Sequence, residues 1–183
     1  MCPLISVVSY LVWVGRDCQG EPARLSYTDM DPQARQEALA ALDRCYVHFA
    51  RQEHALAQQL LLFLTSSPEA TKANVRILGD PRAHDRRAPT VAFSLRRTKS
   101  RDVHRHMVRS ARIGAQVGHM YAYALLAGVP LGLDVDDGVV RVSFVHYNTV
   151  EEVKTVCRAM AEAMDTLAKD GPRQHGQTGI GSD

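Results

Sequence analysis

One arginine inside an apolar strand is the residue of this sequence best suited to chemistry. Residues 138–153 read GVVRVSFVHYNTVEEV. Alternation puts Val139, Arg141, Ser143 and Val145 on one side of an extended chain, and Val140, Val142 and Phe144 on the other. A guanidinium among Val and Phe adds little as packing, whereas its planar fork of N–H donors matches a carboxylate. On the strand alone, carboxylate recognition and a structural ion pair with an acid of the same chain stand as equal readings. The other reactive types are less pointed. Cys2, Cys18, Cys45 and Cys157 have no C-x-x-C spacing and read as reduced thiols. His104 and His106 point to different sides of a helix and lack Cys or carboxylate partners at ligand spacing, so they read as surface histidines and no metal site is expected. Arg96, Arg97, Lys99, Arg101, Arg105, Arg109 and Arg112 form a basic run against Asp102. No aromatic residues interleave it and no nucleic-acid motif accompanies it, so a solvated helix face is favoured over a nucleic-acid surface.

Such residues need a frame. After the arginine strand, Thr149-x-x-Glu152 is a capping box, in which hydroxyl and carboxylate satisfy the orphan N–H groups of a new helix. Val153, Val156, Met160, Met164 and Leu167 then recur at three and four, giving that helix one buried face. Upstream, Leu4, Val8, Leu11 and Val12 share a helical face that ends at Gly15, and residues 15–30 read as a loop. Asp31-Pro32 opens a long amphipathic helix. Its apolar positions, Leu39, Leu42, Tyr46, Phe49, Leu56, Leu60, Phe63 and Leu64, all read as core, and it ends near Ser66-Ser67-Pro68. Val75–Leu78 and Thr90–Leu95 are strands, and Ser100 caps a helix to about residue 112 with Val103 and Met107 inward. Residues 113–118 are ambiguous between helix end and strand. Residues 120–127 form one or two helical turns, and Asp134–Gly138 turn into the arginine strand. The glycine-rich stretch 170–183 reads as a disordered tail. This order predicts an α+β fold, a small antiparallel sheet covered by helices.

Length, 45% hydrophobic content and a net charge of +2 describe a soluble globular chain with one core. The opening MCPLISVVSYLVWVG lacks a basic leader region and a cleavage site, and its apolar run is too short to span a bilayer. A cytoplasmic location without membrane attachment is the expectation.

Four blocks carry a family resemblance. VVRVSFVHYNTVEEV resembles the C-terminal signature of class V aminotransferase-like enzymes, the pyridoxal-phosphate group that includes cysteine desulfurases and selenocysteine lyases. RAPTVAFSL at Arg87–Leu95 is similar to the family's R-x-PT-x-SF strand. Gly118-His119-Met120-Tyr121-Ala122 is similar to its GH-x-x-A loop, and SVVSYLVWVG to the helix that follows its cofactor region. The resemblance covers most of residues 4–168. It implies the small C-terminal domain of fold-type I pyridoxal-phosphate enzymes over residues 1–169. Arg141 would grip the α-carboxylate of an amino-acid substrate, and His119 and Tyr121 would line the same site. In desulfurases of this family the nucleophilic cysteine falls at the position of Tyr121, and an arginine often stands where Gln116 stands. A phenol does not replace a thiolate attacking sulfur, so the persulfide route is not expected. None of Lys72, Lys99, Lys154 and Lys169 matches the family's cofactor lysine, which belongs to the large domain. Pyridoxal phosphate is therefore expected only in the complete enzyme, with a large cofactor-binding domain or a homologous subunit as partner, and this chain alone is expected to be inactive. A non-catalytic stand-alone interaction domain is the alternative reading, and a nucleic-acid module using residues 96–112 a weaker one.

Overall fold

The computed structural model describes residues 3–19, 30–82, 87–96, 98–128, 131 and 133–169. Most of the loop read over residues 15–30 and the tail read over 170–183 lie outside them. The chain divides into two compact units, residues 1–55 and 56–183.

In the first unit, α1 (Pro3–Val14) and the start of α2 (Pro32–Ser66) are both helical, as their apolar rhythm predicts. Asp31 caps α2, its Oδ1 accepting the Ala34 N–H at 3.0 Å. The residues buried between the helices are small: Val12, Ala38 and Ala41 form one cluster. A Cβ on Gly15 would stand 1.7 Å from the Ala41 carbonyl oxygen, and Arg44 Nε donates to the Gly15 carbonyl at 2.8 Å. So close an approach selects the alanine face of α2. Leu39, Tyr46 and Val47 stay 47%, 60% and 48% exposed, which corrects the reading of every apolar position of the long helix as core. Trp13 lies half-buried on α1, tilted against Tyr10 with ring centroids 6.1 Å apart.

The second unit is built on a four-stranded antiparallel sheet. Its strands are β1 (Val75–Ile77), β2 (Thr90–Leu95), β3 (Gln116–Gly118) and β4 (Val139–Ser143), in the order β1-β2-β4-β3. Sequence reasoning expected three strands and left 113–118 ambiguous. The chain settles that ambiguity at Arg112, whose left-handed φ of 52° closes α4 (Ser100–Ala111) ahead of β3. Three further helices complete the unit: α3 (Pro68–Ala73), α5 (Tyr123–Ala127) and α6 (Val150–Lys169).

One sheet face carries the core. Val91, Phe93, Leu95, Val140 and Val142 pack with Leu56, Leu60 and Leu64 of α2, Val103 and Met107 of α4, and Val153, Met160 and Met164 of α6. Each such side chain stabilises the unit by about 1.5–3 kcal/mol on full burial, so this layer holds the sheet against the helices. The expected α+β layer is present.

Two polar knots fix the ends of the helices. Thr149 and Glu152 form the predicted capping box: Glu152 Oε2 accepts the Thr149 N–H at 2.7 Å and Thr149 Oγ1 accepts the Glu152 N–H at 3.2 Å. Asn148 extends it, donating from Nδ2 to Glu152 Oε2 at 3.2 Å while its Oδ1 accepts the Val145 N–H at 2.9 Å. The cap of α4 is not Ser100, as the sequence suggested. Asp137 Oδ2 accepts the Ser100 N–H at 2.8 Å, and the buried Ser100 hydroxyl donates to the Gly138 carbonyl at 3.1 Å. Lys99, the residue before the helix, instead holds Asp134 Oδ2 at 2.9 Å.

Candidate functional site

Arg141 sits in the middle of β4, paired with Ala92 of β2 on one side and Gln116 of β3 on the other. Directly opposed residues project to the same face, so Arg141, Ala92 and Gln116 share the face away from the main core. Thr90 and Ser143 extend this face, their hydroxyl oxygens 3.0 Å apart. Arg141 is half-buried, and its Nε is shut off from solvent without a hydrogen-bond partner. No acid among the described residues pairs with it. Two other buried nitrogens share the lack of a hydrogen bond, Arg87 Nε and His106 Nε2. Arg87, however, spends Nη1 on the Asp80 carbonyl, and His106 Nε2 lies 3.9 Å from Glu162. A buried N–H left unpaired costs about 1–3 kcal/mol, and at Arg141 a planar anion arriving on that face would remove the cost.

The loop holding His119 and Tyr121 leaves the end of β3. Gly118 pairs with Val139, two residues along from the Gln116–Arg141 pair, a displacement of roughly 7 Å along the strand. The Ala122 N–H donates to the His119 carbonyl at 2.8 Å, and the Tyr121 N–H donates to His119 Nδ1 at 3.2 Å. Acceptance at Nδ1 leaves the proton of the neutral ring on Nε2. Met120 and Tyr121 both adopt left-handed backbone, φ 52° and 60°, which costs non-glycine residues about 1–2 kcal/mol each. Tyr121 is 100% exposed at the tip, and its ring meets His119 edge-on at a centroid distance of 6.2 Å. The register thus brings the loop and Arg141 to neighbouring strands. Among the described residues neither ring hydrogen-bonds the guanidinium.

The sequence marked Gln116 only as standing where the family often has an arginine, not as the neighbour of Arg141, and it missed Asp137 altogether. Gln116 becomes the neighbour of Arg141 only through strand register. Asp137 reaches α4 from the turn that launches β4, and so ties the arginine strand to a helix. Two carboxyl groups beside these helix ends are held below their usual range: Glu152 by the Thr149 N–H and the Asn148 amide, Asp134 first by Lys99.

The remaining candidates are structural. His104 is half-buried, with Nε2 3.1 Å from the Ala115 carbonyl oxygen, and His106 is half-buried beside Glu162. Their reading as free surface histidines is corrected: each fills the joint between α4 and a neighbouring segment. No cluster of metal-ligating side chains occurs among the described residues. Cys45 is buried, Cys157 is half-buried with its thiol pushed up to about 11 by desolvation, and Cys18 is exposed.

The sequence profile of aminotransferase class-V matches residues 34–156, more than half of the chain. The chain belongs to the class-V aminotransferase family. Over 112 residues it is 37% identical to an aminotransferase-like protein of Gibberella zeae, covering 61% of this chain and 26% of that one. A cysteine desulfurase-like protein of Aspergillus flavus is also 37% identical over 112 residues, covering 61% and 25%. The fold of the present chain is similar to that of the cysteine desulfurase of Thermococcus onnurineus, with a TM-score of 0.53 at 25% identity, over 73% of this chain and 31% of that one. The cysteine desulfurase CsdA of Escherichia coli shares the fold at a TM-score of 0.53 and 23% identity, over 81% and 34%. This class-V chain therefore spans about a quarter of the length of its curated relatives.

Class-V aminotransferases are pyridoxal-phosphate enzymes, and the side chains of Lys72, Lys99 and Lys154 do not fit the covalent anchoring of that cofactor. Lys99 and Lys154 are exposed and engaged with Asp134 and Glu151 at 2.9 and 2.6 Å. Lys72 is exposed in the last turn of α3. No helix among the described residues is long and apolar enough to cross a membrane.

Proposed function

We propose that residues 1–169 act as the C-terminal domain of a pyridoxal-phosphate-dependent class-V enzyme working on an amino acid, and that Arg141 receives the substrate's α-carboxylate. One observation carries this reading: a half-buried arginine at the centre of a sheet, with Nε closed to solvent and without a partner, and no acid paired with it among the described residues. A carboxylate placed there forms two parallel charge-assisted hydrogen bonds, which fix the orientation of the amino acid as well as its position. The Gln116 amide, opposite Arg141 in the register, is a second donor on the same face. His119 and Tyr121 line the approach to it from the end of β3. The cofactor supplies the electron sink when bound, and it is held by the part of the enzyme this chain does not span. The exposed Leu39, Tyr46 and Val47 of α2 supply an apolar surface for contact with that part. With tyrosine at the tip of the loop, the reaction proceeds without a cysteine persulfide at residue 121.

The test is Arg141→Lys in the complete enzyme, with the affinity for an amino acid and for the amine lacking its carboxylate measured side by side. Lysine keeps the charge and loses the fork. One bidentate charge-assisted contact is worth about 1.5–3 kcal/mol, so amino-acid binding weakens roughly tenfold to a hundredfold while amine binding is unchanged. Equal weakening of both, or of neither, rules out the carboxylate role.

A further inference from the structure

A second surface, on the opposite side of the sheet from Arg141, has no part in that reading. β3 is an edge strand, and a groove of about 330 Å³ runs between it and α4, lined by Arg101, His104, Arg105, Val108, Arg109 and Val117. Arg101, Arg105 and Arg109 recur every four residues and so stand in one row along the helix. Arg105 Nη1 is paired with Asp102 at 2.7 Å, which leaves the rest of its fork available. Among the described residues, no acid pairs with the guanidinium groups of Arg101 and Arg109. The floor is apolar. Val108 is 42% exposed, and Val117 beside it is half-buried. His104 fixes the floor by joining α4 to the carbonyl of Ala115, just ahead of the strand.

We propose that this groove docks an acidic peptide segment carrying apolar side chains, extended along β3. Three arginines in a row select negative charge, and the exposed Val108 with the half-buried Val117 selects a partner that also buries methyl groups. The edge of a sheet is the usual place for an extended segment to add. Nucleic acid fits less well, because no Phe, Tyr or Trp lines the groove for a base to stack on, and its single imidazole, His104, is tied to the Ala115 carbonyl. A simple anion would satisfy the arginines and leave Val108 and Val117 in water.

The probe is a short fluorescein-labelled peptide of alternating Glu and Val, titrated against the chain by anisotropy and mapped by amide chemical shifts. Saturable binding is expected, with shifts centred on Val108 and Val117, weakening about tenfold as salt rises from about 50 to about 300 mM. Arg105→Glu with Arg109→Glu should lower the affinity at least about tenfold by placing like charges along the row. Val108→Asp, an exposed substitution that spares the arginines, should lower it similarly in a chain whose spectrum is otherwise native. The proposal is overturned by any one of four results: no saturable binding, equal binding of polyglutamate, tighter binding of a single-stranded oligothymidine, or unchanged affinity in both variants.

Discussion

Gly138→Ala should be among the most damaging single-methyl additions to this chain, and the structure allows its cost to be divided. Gly138 has φ +67°, and a Cβ there would stand 2.3–2.5 Å from the backbone of Gly118. The left-handed backbone costs an alanine about 1–2 kcal/mol, and forcing a methyl into a closed contact adds about 1–3 kcal/mol. The sum is about 2–5 kcal/mol, a large share of the roughly 5–15 kcal/mol that stabilises a typical domain. Two other glycines separate the contributions. Gly118 has φ +134° with open space beside it, so Gly118→Ala pays backbone strain alone. Gly114 has neither strain nor neighbours within 4 Å, and Gly114→Ala should be neutral or slightly stabilising. Urea unfolding followed by far-ultraviolet circular dichroism gives the ranking. With a slope of about 2 kcal/mol per molar, the Gly138→Ala midpoint falls by about 1–2.5 M, Gly118→Ala falls less, and Gly114→Ala stays in place. If Gly138→Ala matches Gly114→Ala, or Gly118→Ala proves the worse of the strained pair, then the close packing of β3 on the start of β4 does not hold the site together as argued.

Further outcomes are expected. Asp137→Ala removes the cap of α4 and should cost about 1 kcal/mol, with faster amide exchange at Ser100 and Arg101 than elsewhere in the helix. Glu152→Gln should lower stability at neutral pH. Because the Glu152 carboxyl is held below its usual value, its contribution is whole above the ordinary glutamate range and disappears as pH falls through the lowered value. Thermal melts of wild type and variant should therefore converge on acidification, and a gap that stays constant with pH would contradict the reasoning. In brief alkylation at mildly alkaline pH, mass spectrometry should find exposed Cys18 modified well before Cys157, whose thiol is pushed up to about 11 by burial.

What the sequence disclosed and what it withheld divide along the range of the interactions. Asp31 to Ala34 and Thr149 to Glu152 are contacts three residues apart, so residue type and spacing were enough to find both caps. Asp137 lies 37 residues from Ser100, and only the folded sheet shows that it, rather than Ser100, caps α4. Periodicity identified which residues of α2 share a face but not which face meets a partner. At Leu39 and Tyr46 the bulky stripe lost to the alanine stripe because Gly15 approaches Ala41 so closely. Arg141 was legible by type, an ionised fork in an apolar strand. Its neighbour Gln116 depended on the pairing of β3 with β4, and a strand of three residues carries too little pattern to be recognised before its partner is known.

The placement of the aromatic residues gives the chain an optical label of its own. Its single tryptophan, Trp13, belongs to the first unit, whereas all four strands belong to the second. Indole emission therefore reports on the first unit, whereas far-ultraviolet ellipticity sums the helices and strands of both units. Recording both signals through one titration compares the first unit with the whole chain without a dye or a truncation. Coincidence of the two curves would mean that the units melt as one cooperative body, and separation would give each its own midpoint.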